Sequence, residues 1–124
     1  MVGINSLVGK TLSKIERKYG KNNEDELYFT TVDNEVFKMY HDQSCCESVN
    51  LEDIVGDFDD LLHSRIAYAE EVSNQSNGPK NDNHESYTWT FYKISTIRGS
   101  ITLRWYGQSN GYYSERVNFT QISG

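Results

Sequence analysis

Residues 87–107 alternate large apolar and polar side chains through two runs, 87–97 and 100–107, separated by Arg98 and Gly99. A period of two sends successive side chains to opposite faces of a strand, so two such runs joined by a tight turn predict an antiparallel hairpin. Pairing Ile97 with Ser100 sets Tyr92 beside Trp105, Ile94 beside Leu103 and Thr96 beside Ile101, which makes a core face. The next turn carries Ser109, Asn110 and Gly111. A two-residue Asn-Gly loop would set Leu103 opposite Asn118 and turn Val117 and Phe119 away from the core. A three-residue loop with Gly111 in a left-handed bulge position sets Leu103 opposite Val117 and Ile101 opposite Phe119. The hydrophobic pattern selects the second register and a three-stranded meander.

On the other face of that meander the same register places Lys93, Arg104 and Arg116 side by side, flanked by Trp89, Phe91 and Tyr106. Like charges opposite one another on neighbouring strands are destabilising, so the row calls for carboxylates or an external anion. Glu70, Glu71, Glu115 or a neighbouring subunit supplies the first. The second is a nucleotide-sized ligand, with phosphates on the arginine forks and a base stacked on an aromatic ring. Asn110, Tyr112 and Tyr113, around Gly111, belong to the adjacent hairpin and are placed to close over such a ligand.

The first half predicts strands at 12–17 and 65–72, and a hairpin of 27–32 with 35–41 across Asp33-Asn34, where Asn tolerates the left-handed region. Leu51, Ile54, Val55, Phe58, Leu61 and Leu62 follow helical spacing, with Asn50 as cap and Glu52 and Asp53 at the positive end of the helix dipole. Gly56 is a weak point inside that helix. The expected fold is therefore α+β: one antiparallel sheet of about six or seven strands with one amphipathic helix, residues 50–62, packed on one face. Glu52, Asp53, Asp57, Asp59 and Asp60 would form an acidic face on that helix. Such a face can occupy the phosphate groove of a nucleic-acid enzyme, or simply be solvated.

A chain of 124 residues suits one hydrophobic core and hence one domain, with a long polar surface loop at 73–85 that holds the lone Pro79. Mean hydropathy is low at -0.70. Nine tyrosines among 13% aromatics nevertheless supply buried area enough to argue against disorder. The net charge of -6 argues against broad nucleic-acid or anionic-membrane binding, and the sequence has no export signal or membrane span. Cys45 and Cys46 are adjacent, which ordinary disulfide geometry disfavours, so they read as reduced thiols and the expected compartment is the cytoplasm.

His41, Cys45, Cys46 and Glu47 have metal-ligand chemistry but lack a second spaced pair, and no metal or cofactor is expected. The calcium pattern fails at Asp57 to Asp60 for want of its glycine and terminal glutamate. Nothing local orients a cysteine nucleophile toward His63 or His84, and no phosphate-binding loop occurs, so no enzyme activity is expected.

The stretches Tyr28-Phe29-Thr30-Thr31, Lys38-Met39-Tyr40-His41, Cys45-Cys46-Glu47, the run from Leu51 to Asp57, Tyr87-Thr88-Trp89-Thr90-Phe91-Tyr92-Lys93, and the run from Arg104 to Ser114 resemble an uncharacterised family of small bacteriophage and prophage proteins. The resemblance covers nearly the whole chain and carries over no catalytic or ligand residue. It implies a counter-defence setting, in a bacterial host cell, where small phage proteins sequester an immune signal or block a host effector. Two functional expectations follow. One is sequestration of a small anionic, nucleotide-derived immune signal on the aromatic and cationic face. The other is inhibition, in the anti-CRISPR manner, of a host nuclease or other nucleic-acid-binding effector by the acidic face. Exposed Trp89, Phe91 and Tyr106 further predict a homo-oligomer, a homodimer by default.

Overall fold

Strand alternation, where it occurs, is translated directly into structure. In β2 (Asp25–Thr31) the side chains of Asp25, Leu27, Phe29 and Thr31 are buried, while the residues between them are only half-buried. In β3 (Val36–Tyr40) Phe37 and Met39 are the buried pair. The structure is a computed structural model that describes residues 3–21, 23–43, 47–76, 86–109 and 114–124. The other strands are β1 (Leu12–Tyr19), β4 (Ser48–Val55), β5 (Ile66–Ser76), β6 (Ser86–Thr96), β7 (Gly99–Ser109) and β8 (Asn118–Ser123). They make two four-stranded antiparallel sheets, ordered β1-β2-β3-β8 and β4-β7-β6-β5. Leu27, Phe29, Phe37, Met39 and Phe119 from the first sheet join Leu51, Tyr92, Ile94, Ile101, Leu103 and Trp105 from the second in one buried cluster. Each such side chain contributes about 1.5–3 kcal/mol by leaving water, which makes this inter-sheet layer the main stabilising element.

The expected α+β fold is corrected to an almost wholly β architecture. Among the described residues the helical content is two short 3-10 turns, Ile4–Leu7 and Phe58–Leu61. The apparent helix at 51–62 is β4 followed by the second of these turns. A bulge at Glu52 explains the deceptive spacing: Leu51 pairs with Trp105, Asp53 with Arg104 and Ile54 with Leu103. The extra residue lets Leu51 and Ile54, three apart, share the inner face. Gly56 then turns the chain at φ +111°, where a Cβ would lie 2.7 Å from the Ser100 carbonyl oxygen. Asp57 accepts from the Asp59 N–H at 2.9 Å and starts the turn that buries Leu61. One sequence stripe is thus assembled from two elements.

The hairpin around Asp33-Asn34 forms, with Asn34 at φ 67° and Thr30 opposite Val36. The β6–β7 hairpin forms too, but two residues out of the expected register: Thr96 pairs with Gly99, Ile94 with Ile101 and Tyr92 with Leu103. A slip of two leaves every side chain on its expected face, so alternation alone cannot detect it. Tertiary contact decides instead, because the Thr96 hydroxyl donates to the Asp60 carbonyl at 2.6 Å and accepts from the Arg98 N–H at 3.1 Å.

The expected pairing of Leu103 with Val117 does not occur. β8 crosses to the other sheet and pairs with β3, Met39 opposite Phe119. Phe119 stacks on Phe37 with ring centroids 5.5 Å apart and meets Phe29 edge-on at 5.9 Å. The crossing passes over Gly107, where a Cβ would come within 2.9 Å of the Glu115 backbone oxygen. Of the expected loop at 73–85, residues up to Ser76 continue β5, and 77–85, with Pro79 and His84, lie outside the described residues.

Candidate functional site

The outer face of the β4-β7-β6-β5 sheet gathers a cluster of aromatic residues outside the core. Odd-numbered residues of β6 and even-numbered residues of β7 point outward because their neighbours Tyr92, Ile94, Leu103 and Trp105 are buried on the inner side. Trp89 sits opposite Tyr106 with ring centroids 4.7 Å apart. Phe91 follows at 6.2 Å from Trp89, and Tyr87 lies 6.2 Å from Tyr106. Arg104 pairs across with Phe91 and holds its guanidinium 5.2 Å from the Trp89 ring centre and 6.0 Å from that of Phe91. Asp53, opposite Arg104 on β4, accepts from its Nη1 at 3.4 Å. Both partners are open to solvent, so that ion pair is weak and serves to orient the arginine over the rings.

The three-cation row is not assembled. Lys93 lies opposite Thr102 on one side and Glu70 on the other. Arg104 is the neighbour of Phe91, two pairs further along. Arg116 precedes β8, on the approach to the other sheet, and acts electrostatically on inward-facing Tyr92. Its separation follows from the β8 crossing, since the sequence register required β8 to pair with β7. Asn110, Tyr112 and Tyr113 lie outside the described residues.

The acidic group is redistributed as well. Glu52 and Asp53 are exposed at the β4 edge, Asp57 and Asp59 are exposed around the second 3-10 turn, and Asp60 packs against the β6–β7 turn. No helix face carries them, but Asp53 brings this group into contact with the aromatic face through Arg104. Sequence reasoning weighed Glu70, Glu71 and Glu115 as partners for the cations and missed Asp53, because the mistaken helix put it on another element. It also missed Tyr87, Tyr68 and Val72, which extend the outer apolar surface toward β5.

At the end of the sandwich where β3 leads to β4, His41 and Glu47 form a buried pair, their side chains 2% and 0% exposed and 2.8 Å apart. His41 Nδ1 donates to the Arg116 carbonyl at 2.6 Å. A carbonyl only accepts, so Nδ1 carries a proton and one further proton lies between Nε2 and the Glu47 carboxylate. Glu115, also buried, accepts from the hydroxyls of Thr88 at 2.7 Å and Ser109 at 2.5 Å. These groups anchor the two segments that cross between sheets. Among the described residues no three potential metal ligands gather, and Cys45 and Cys46 lie outside them. Burial, reinforced by the hydrogen bond that Tyr92 donates to Glu71 at 2.5 Å, raises the Tyr92 phenol well above its usual range.

No described helix is long and apolar enough to cross a membrane. No curated protein and no solved structure matches the chain. A family model does, over residues 5–119, and the chain therefore belongs to DUF7448, a domain family of unknown function.

Proposed function

We propose that this protein is a non-catalytic binding module that engages a protein partner through the outer face of the β4-β7-β6-β5 sheet. The observation that carries the reading is the composition of that face, in which Arg104 lies over Trp89 and Phe91, Tyr106 and Tyr87 continue the aromatic cluster, and Asp53, Glu70 and Lys93 stand on the neighbouring positions. An aromatic and arginine centre inside a charged rim is the anatomy of protein–protein hot spots. Three strands roughly 35 Å long and the shorter β4 of roughly 26 Å, about 4.8 Å apart, offer on the order of 600 Å², the scale of a small interface beside the roughly 800 Å² per partner of a standard one. The acid–base groups His41, Glu47 and Glu115 are buried in contacts that hold crossing segments, which favours a structural role for them.

The resemblance to small phage proteins suggests the setting, a counter-defence factor that occupies a host effector. The acidic border at Glu52 and Asp53 favours an effector with a cationic, nucleic-acid-binding surface. Sequestration of a nucleotide-derived signal is the second reading, favoured by the guanidinium of Arg104 held over Trp89. It is weakened by the dispersal of Lys93 and Arg116.

The test uses the protein as bait in host lysate beside a Trp89→Ser, Arg104→Glu variant with the same thermal melt. A host protein retained by the wild type and lost by the variant supports the proposal. Equal retention of every protein by both refutes it. A nucleotide released from denatured wild type alone transfers the function to the second reading.

A further inference from the structure

Among the described residues the two sheets have four edge strands, and the fold treats them unequally. An open edge presents unpaired N–H and C=O groups to any strand that approaches. β4 is sealed from within. The Leu51 N–H donates to Asp25 Oδ2 at 2.8 Å, and the Leu51 carbonyl accepts from Arg17 Nη2 at 3.2 Å, so side chains from β2 and β1 stand where a neighbouring strand would be. The bulge at Glu52 interrupts the same edge. β1 is bulged between Leu12 and Lys14 and carries Lys14, Glu16, Arg17 and Lys18. β8 has six residues.

Among the described residues β5 is the least protected edge: its only charges are Glu70 and Glu71, and its one bulge lies before Tyr68. Its first residue is covered, since Gly9 donates to the Ile66 carbonyl and the Ile66 N–H donates to the Lys10 carbonyl, both at 2.8 Å. Beyond its early bulge, Tyr68 to Ser76 runs in unbroken register along β6. Among the described residues, no backbone group pairs with the other side of that stretch. Tyr68 at 44% and Val72 at 36% exposure stand on it.

We propose that this edge pairs with its counterpart in a second copy of the chain, antiparallel about a two-fold axis at Val72, making one continuous eight-stranded sheet. Three constraints select the axis. Facing residues must lie on the same side of the joined sheet, so the axis passes through a residue and not between two. An axis at Glu70 or Glu71 sets that glutamate against itself, and like charges directly opposite are destabilising. An axis beyond Val72 shortens the paired stretch. At Val72 the whole stretch from Tyr68 to Ser76 is used: valine faces valine, each Glu71 faces Ser73, each Glu70 faces Asn74, and no carboxylate faces another.

The assembly closes at two copies because the sheet's remaining edges are the sealed β4 strands. It also places two Trp89, Arg104 and Tyr106 clusters on one surface, which suits a two-fold or repeated partner. Dimer formation does not depend on what the aromatic face binds.

Sedimentation equilibrium across a concentration series tests the proposal, with three proteins compared. The wild type is expected to dimerise. Val72→Lys brings two ammonium groups together at the axis and should give a monomer with unchanged circular dichroism and melting temperature. Asn74→Lys sets a cation opposite Glu70 of the other copy twice over and should tighten the dimer about fivefold. Amide exchange read by NMR should show alternate amides of residues 68–74 protected in the wild type and unprotected in Val72→Lys. A wild type that stays monomeric at every concentration overturns the proposal. So does a dimer whose affinity neither variant changes.

Discussion

Replacing Asp25 with alanine isolates the link between the two sheets. One oxygen of the Asp25 carboxylate accepts from Arg17 Nε at 3.2 Å and Nη2 at 2.8 Å, and the other accepts from the Leu51 N–H at 2.8 Å. The Asp25 side chain is 7% exposed and that of Arg17 34%. The truncation strands the Leu51 amide, and a buried donor left without a partner costs about 1–3 kcal/mol. Arg17 can turn toward water, so the ion pair adds only about 1 kcal/mol. The sum is about 3 kcal/mol, or a melting temperature lower by roughly 10 °C for a domain of this size. Denaturant unfolding followed by tryptophan fluorescence reads the change directly, and the m-value should stay constant if only stability is altered. Asp25→Asn should rescue little, because its NH2 must face a donor on one side. A cycle with Arg17→Met should show coupling of about 1 kcal/mol between the two positions. A loss below about 0.5 kcal/mol for Asp25→Ala, typical of an ordinary surface substitution, would refute the view that this carboxylate seals the β4 edge.

Three further expectations follow from the same geometry. Gly56→Ala should cost about 2 kcal/mol, because alanine at φ +111° is strained and its Cβ meets the Ser100 carbonyl; a neutral effect on the denaturation midpoint would contradict the turn. Burial and Glu71 hold the Tyr92 proton in the folded chain, whereas the unfolded chain releases it near pH 10; this contribution is intact below that pH and falls by about 1.4 kcal/mol per pH unit above it. Tyr92→Phe should make the alkaline limb of the stability profile shallower, and an unchanged slope would show that other groups set it. Removing the buried pair with His41→Leu should destabilise by about 3 kcal/mol, since it takes one partner from Glu47 and another from the Arg116 carbonyl; calorimetry that finds the variant as stable as the wild type would deny the pair its anchoring role.

Where a strand alternates regularly, its two faces were legible in the sequence. The alternation of β6 and β7, the hairpin at Asn34, and the outward placement of Trp89, Phe91, Arg104 and Tyr106 all follow from side chains that change face every residue. A strand's own sequence states its two faces because the pleat is a local property of the backbone. Its partner is a different matter. The two-residue slip between β6 and β7 preserves both faces and was settled by the hydroxyl of Thr96 reaching Asp60, 36 positions away. The bulge at Glu52 imitated a helical repeat until Trp105 and Leu103 paired with Leu51 and Ile54. Most consequential for the candidate site, β8 met the local requirements of either sheet, and Phe119 went to Phe37 and Phe29. That one choice took Arg116 away from Arg104 and left Asp53 as the arginine's partner. The sequence by itself determined which side chains each strand turns outward; the tertiary structure decided which strands stand together, because pairing depends on contacts between segments far apart in the chain.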